Sequence, residues 1–221
     1  MRPPRWLRRL ALVLLLGPPL LILAFRFVPV PATPLMLIRA AQGHGWHKEW
    51  VPYDRIDPAM ARSVIAAEDN LFCTQWLGFD FAQLQGQVEA ALDGERPRGA
   101  STITMQVAKN LFLWPGRDPL RKLLEAWLTP QIALLWPKQR VLEVYLNIVE
   151  FAPGVYGAEA AAQAAFRRPA ASLTDAQAAR LAVVLPAPLE WSITAPGPYV
   201  QRRAETIRRR VGQLGSLTDC V

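Results

Sequence analysis

The chain has 221 residues, 52% of them hydrophobic and 19% charged, a balance that suits one main domain with an appendage and excludes wholesale disorder or a collagen-like chain. Its net charge of +7 is concentrated at the start, since residues 1 to 28 hold Arg2, Arg5, Arg8, Arg9 and Arg26 and no acid. The other 193 residues carry 20 Lys and Arg against 18 Asp and Glu, a net of only +2, and so neutral a body argues against nucleic acid as a partner.

Leu10 to Phe25 contains no charge. As a helix rising ~1.5 Å per residue, residues 10–28 would reach about 28 Å, close to the ~30 Å of a hydrocarbon core. A secretory signal peptide has the same charged start, but no A-x-A cleavage site follows the apolar run. The segment is therefore expected to be an uncleaved transmembrane anchor. Residues 1–9 would be its cytoplasmic tail, and the rest of the chain would lie on the periplasmic side of a bacterial inner membrane. Pro18 and Pro19 are predicted to kink the helix, and Arg26 to snorkel toward the outer interface.

Residues 29–56 are expected as a membrane-proximal linker. Within them Pro31 to Ile38 could lie on the bilayer or pack on its own domain, with Trp46 and Trp50 as interfacial side chains. His44 and His47 sit in a Gly-flanked stretch that reads as loop. With only Cys73 and Cys220 beside them, no disulfide framework, familiar zinc-ligand spacing or Ser-His-Asp site can be assembled. The two cysteines could oxidise outside the cytoplasm, but no feature of the sequence brings them together.

From residue 57 onward the pattern is helical, with no internal repeat. Asp57-Pro58 and Asp118-Pro119 each read as a cap followed by proline at the first helical position. Thr174 with Gln177 forms a capping box, with Leu173 as a staple. Helices are predicted at 58–71, 80–93, 101–112, 119–136, 138–149, 154–166, 175–185 and 197–213, so the fold class is mainly α. Pro130 should kink or shorten the 119–136 helix. Residues 216–221 are expected as a tail.

Three sets of residues could carry chemistry. Glu68 continues the apolar line of Met60 and Val64; a carboxylate there is either a base with a raised pKa or an acid that meets water where the helix frays. Leu120, Leu123, Leu124, Trp127 and Leu128 make an apolar stripe, which places Arg121, Lys122 and Glu125 on the opposite side; on periodicity alone that pair reads as a solvated face. Arg98 to Asn110 offers a glycine, then hydroxyl residues at a helix start, then Lys109, an arrangement suited to an anionic group but equally to plain capping.

Five stretches, taken together, resemble the peptidoglycan glycosyltransferase family, and most closely its short monofunctional members. They are Glu68-Asp69-Asn70-Leu71-Phe72; Gly99 to Thr104 with Gln106, Lys109 and Asn110; Arg121-Lys122 with Glu125; Lys138 through Asn147 to Gly154-Val155-Tyr156-Gly157; and Leu181 to Pro186. The resemblance implies a lysozyme-like helical lobe with a smaller membrane-proximal jaw, over residues 57–215, behind one anchor helix. It implies that Glu68 is the general base and Glu125 the second essential carboxylate. Asp69, Ser101, Thr102, Gln106, Lys109, Arg121 and Lys122 would serve substrate binding. The implied partners are lipid II, the growing glycan strand and the membrane. No cofactor is required, although a divalent Mg or Mn ion could assist the pyrophosphate.

Some positions depart from the family pattern. Gln75 stands where a histidine is usual, and Leu77 looks inserted before Gly78. Met105 replaces a frequent glutamine and Ala152 a frequent glycine. Two other readings stay open at this level: a lytic transglycosylase or muramidase, which also uses a glutamate in a helical lobe, and an inactive membrane-anchored lipid II-binding protein.

Overall fold

The computed structural model describes residues 4–94, 101–116 and 118–221; Gly99 and Ala100 of the glycine-hydroxyl stretch lie outside the described residues. Ten helices occur in the described residues: α1 Arg5–Phe25, α2 Pro34–Ala41, α3 Pro58–Glu68, α4 Phe81–Leu92, α5 Ile103–Phe112, α6 Pro119–Leu135, α7 Lys138–Ile148, α8 Ala158–Phe166, α9 Asp175–Val184 and α10 Pro198–Val211. The mainly α expectation holds. The helix starts are set by side chains: Asp57 accepts from Ala59 N–H, Asp118 from Arg121 N–H, and Thr174 with Gln177 completes a capping box. Each satisfies amides that would otherwise have no partner in the first turn.

Helices α3, α9 and α10 pack on one another, and α5 packs against both α6 and α7. Val64, Ile65, Ile103, Val107, Leu142, Tyr145, Leu146, Leu181 and Val184 are all buried in one apolar core. A small sheet lies beside them. Strand β1 (His47–Lys48) runs parallel to β3 (Val155–Tyr156), which pairs antiparallel with β2 (Glu150–Ala152). The predicted 154–166 helix therefore begins only at Ala158, and His47, read as loop, is in a strand.

Residues 29–56 do more than link. Val30, Met36 and Ile56 enter the core, and the Asn147 amide both donates to Val51 C=O and accepts from Val51 N–H, each at 2.9 Å. Met36 settles α2 against its own domain, while Leu37 remains exposed. The carboxyl-terminal segment is also held, because Cys73 and Cys220 form a disulfide across 147 residues of sequence.

Neither helix that carries an internal proline ends at it. α6 runs through Pro130, because the carbonyl that Pro130 leaves free belongs to Ala126, on the exposed side. α1 likewise continues through Pro18 and Pro19. Arg26 donates to the carbonyl of Leu135 at the end of α6. Beside it, Trp136 Nε1 donates to Ile22 C=O at 2.7 Å and Arg140 binds the carbonyls of Phe25 and Val28. Phe25 C=O, the last carbonyl of α1, is thus taken up by the domain, and Ile22 C=O accepts from Trp136 in addition to Arg26 N–H.

Asn147→Leu removes the only side chain pairing both backbone groups of Val51. It is expected to lower unfolding free energy by about 1–3 kcal/mol, measured by chemical denaturation; an unchanged midpoint would contradict this role.

Candidate active site

Glu68 is the last residue of α3, so the helix neither continues to Leu71 nor frays before the carboxylate. Its Oε2 accepts a 2.8 Å hydrogen bond from Gln106 Nε2 on α5. Tyr145 of α7 donates its hydroxyl to Gln106 Oε1 at 3.0 Å, which turns the amide so that its NH2 faces the glutamate. Burial raises the Glu68 carboxyl above its usual range, while Gln106, Arg203 and Lys109 act in the opposite sense. Tyr145 is fully buried, and burial pushes its hydroxyl upward, so it stays a neutral donor.

Asp69 turns away from its neighbour and binds the start of α5. Its Oδ2 accepts from Ile103 N–H at 3.0 Å, and its Oδ1 accepts from Gln75 Nε2 at 2.6 Å. Gln75, the departure from the family's histidine, therefore fills a buried donor position. Burial lifts the Asp69 carboxyl to about 6; those two hydrogen bonds and Lys138 hold it down. Lys138 donates to Phe72 C=O and lies 4.6 Å from the Phe72 ring centroid. Burial lowers its ammonium to about 8.

Thr102 caps α5 by accepting from Met105 N–H, and donates to Gly78 C=O at 2.6 Å. Gly78 has φ +76°, and a Cβ there would come within 2.9 Å of the methyls of Thr104 and Thr129. Only glycine fits without displacement. The loop carrying Gln75 and Leu77 is pinned at this point.

Helix α6 is turned from the orientation expected from its stripe, with Leu128 still buried. Glu125 is 2% exposed and Arg121 8%, whereas Leu120 and Leu123 are 61% and 69% exposed. Arg121 Nη1 donates to Glu125 Oε2 at 2.7 Å, and Lys122 Nζ to Glu125 Oε1 at 2.6 Å and Ser101 Oγ at 3.0 Å. The solvated-face reading of Arg121 and Glu125 is overturned; both are packed inward, with Leu120 and Leu123 outward and Leu128 still in the core. Arg121 Nε is buried without a partner among the described residues, a donor open to something that enters from outside.

A cleft of about 370 Å³ joins these groups. Glu68, Ser101, Gln106, Lys109, Arg121 and Glu125 all line it. Asp69, Thr102 and Lys122 are not among its lining side chains; the first two build its frame, and Lys122 stands at the rim, bonded to Ser101 and Glu125. Burial lowers the Lys109 ammonium; Glu125 and Glu68 hold it up, against Arg121 and Lys122. Arg39 of α2 and Glu150 of β2 also line the cleft, with Arg39 Nε 3.4 Å from Glu150 Oε2. Sequence reasoning missed both, and left Tyr145 and Gln75 without roles. Tyr145, Asn147 and Glu150 lie within five residues of one another, a polar cluster in an otherwise apolar run that could have marked them.

Residues 36–212 match the sequence profile described as transglycosylase. The chain belongs to the transglycosylase family. It is 50% identical over 214 residues to a biosynthetic peptidoglycan transglycosylase of Caulobacter vibrioides, covering 96% of this chain and 93% of that protein. A protein of the same name from Rhodospirillum centenum is 50% identical over 217 residues, covering 94% and 91%. One from Pseudomonas putida is 47% identical over 220 residues, covering 95% and 92%. Membership places the five motif stretches in one context, and the cleft shows their side chains converging. Among the described residues no group of three or more His, Cys, Asp or Glu side chains comes together, and Glu125 is engaged by Arg121 and Lys122.

Two outcomes are expected. Glu125→Ala leaves the Arg121 charge buried and unpaired, at a cost of about 3–5 kcal/mol in unfolding free energy; a loss under about 1 kcal/mol would mean the pair is solvated after all. In a carbon-NMR titration, Glu68 should ionise above the ordinary carboxylate range. Gln106→Leu removes a donor to the charged form, so its midpoint should move to still higher pH; a downward move would refute the assignment.

Proposed function

We propose that this transglycosylase is a glycan-strand polymerase of cell wall biogenesis that joins lipid II disaccharides by β-1,4 bonds and releases undecaprenyl pyrophosphate. The convergence of Glu68 with Lys109 and Arg121 on one cleft carries this reading. Glu68 takes the proton from the 4-hydroxyl of the incoming sugar. That oxygen bonds to the anomeric carbon of the strand while the bond from carbon to the phosphate oxygen breaks. The electron pair leaves with the pyrophosphate, and attack from the opposite face inverts the centre.

Such a leaving group departs as an anion and needs positive charge rather than a proton. Lys109, Arg121 with its unpartnered Nε, and Lys122 at the rim supply that charge in a fixed arrangement, and a preorganised donor of this kind can contribute ~10²–10³ in rate. Glu125 holds Arg121 and Lys122 in place. A raised pKa at Glu68 would also suit a hydrolase's general acid, but cleavage between two sugars has no use for the cation cluster.

The substrate's lipid explains the amino-terminal helix. α1 is long and apolar enough to cross a membrane, and the arginines before it favour a cytoplasmic start with the cleft on the periplasmic side. α1 packs on α6, whose Leu120, Leu123 and Leu134 are exposed. This apolar face beside the anchor supports partial immersion of α6 in the bilayer surface.

With purified full-length protein and lipid II, glycan strands should form while preformed sacculi stay intact. Glu68→Gln should reduce polymerisation by about 10²–10⁴-fold with lipid II binding largely kept. Release of muropeptides from sacculi would assign a muramidase, and absence of any strand synthesis by the unaltered protein would leave only a binder.

A further inference from the structure

A second cavity, of about 250 Å³, shares its walls with the catalytic cleft. The cleft is bounded by Val149 and Glu150 and by Leu185, Pro186 and Pro188. The same two segments, continued by a few residues, bound the second cavity through Ala152, Pro153 and Val155 and through Pro188 to Thr194. Pro188 belongs to both, so the two spaces adjoin.

Its lining differs in kind from that of the cleft. Ala161, Ala164 and Ala165 of α8 supply small side chains, and the partly buried Trp191 supplies an aromatic surface. Trp191 is braced by Tyr199, with ring centroids 5.2 Å apart. Ser192, Thr194 and Glu190 leave hydroxyls and a carboxylate exposed at the margin. Among the described residues no lysine or arginine lines it, so it does not suit a diphosphate. Whole-ligand pockets usually exceed ~300 Å³; this smaller one fits a unit of an extended ligand.

We infer that this cavity is a glycan subsite, in which the face of Trp191 stacks on a sugar of the growing strand beyond the unit that carries the diphosphate. The inference rests on the polymerase reading above. A sugar ring has an apolar face of C–H groups and an edge of hydroxyls, which matches an aromatic wall with polar groups at its rim. A polyprenyl tail is the other apolar candidate. It belongs near the anchor, which packs on α6, whereas this cavity is built from α8, the β2–β3 hairpin and the segment after α9. A single lipid II occupies only the cleft; a longer strand reaches both spaces and is retained better between additions.

Two measurements on the full-length protein test this. Binding of a β-1,4-linked N-acetylglucosamine tetramer, followed by calorimetry, should weaken at least about five-fold in Trp191→Ala, as truncating a buried aromatic anchor does. Ala164→Phe, which fills the cavity and leaves Trp191 in place, should have the same effect and guards against a folding defect. In lipid II polymerisation both variants should lower the ratio of long strands to first-coupling product by at least about five-fold. Tetramer binding unaffected by both variants overturns the inference, as does an unchanged length ratio. An effect that follows the length of the polyprenyl chain instead of the strand would assign the cavity to lipid. Should the unaltered protein make no strands yet bind the tetramer through Trp191, the polymerase reading falls and the sugar site stands.

Discussion

The carboxylate of Asp69 fastens the end of α3 to the start of α5, and the geometry of the cleft follows from that connection. One oxygen takes the first amide of α5 and the other takes Gln75. Because Glu68 precedes Asp69, and Gln106 and Lys109 lie within the first two turns of α5, one fixed junction sets the distance between the base and its partners. A buried carboxylate is costly unless its lone pairs are used. Here two donors satisfy it, and Lys138 adds positive charge nearby. Tyr145 then fixes the Gln106 amide, so that Glu68 is oriented by a chain of neighbours rather than by its own rotamer.

The second constraint is the burial of charge on α6. Arg121 and Glu125 are nearly inaccessible, whereas Leu120, Leu123 and Leu134 point outward. In a protein surrounded only by water this would be a poor exchange, because exposed leucines forgo ~1.5–3 kcal/mol each. The membrane placement proposed above would change the balance, since hydrocarbon would then surround that side. The inward ion pairs serve the chemistry, and the outward leucines serve the location.

Much of the helical plan was legible in the sequence because its signals are local. Asp57, Asp118 and Thr174 act through atoms two or three residues away, and each cap was found where proline or glutamine spacing placed it. What remained hidden depends on partners far along the chain. Periodicity shows that α6 has two faces but cannot say which one meets the core. The disulfide closes across 147 residues, a separation about which spacing is silent. The β2–β3 hairpin is too short to give an alternating pattern. For the cleft, the motif stretches singled out Glu68, Gln106, Lys109, Arg121 and Glu125, which do share one space. Arg39 and Glu150 escaped because each looks ordinary alone, and they become part of the site only where α2 meets the sheet. Thr102 uses its hydroxyl on Met105 and Gly78, a framing contact that its sequence position does not reveal.

Trp136 and Arg140 bind carbonyls of Ile22 and Phe25, so α1 is fastened at the joint between α6 and α7. A tilt of α1 against the body would have to break those hydrogen bonds or carry with it the end of the helix that holds Arg121 and Glu125. Were α1 to span a bilayer, whose thickness sets the slant of such helices, the joint at Trp136 is where a change of slant would meet the catalytic body.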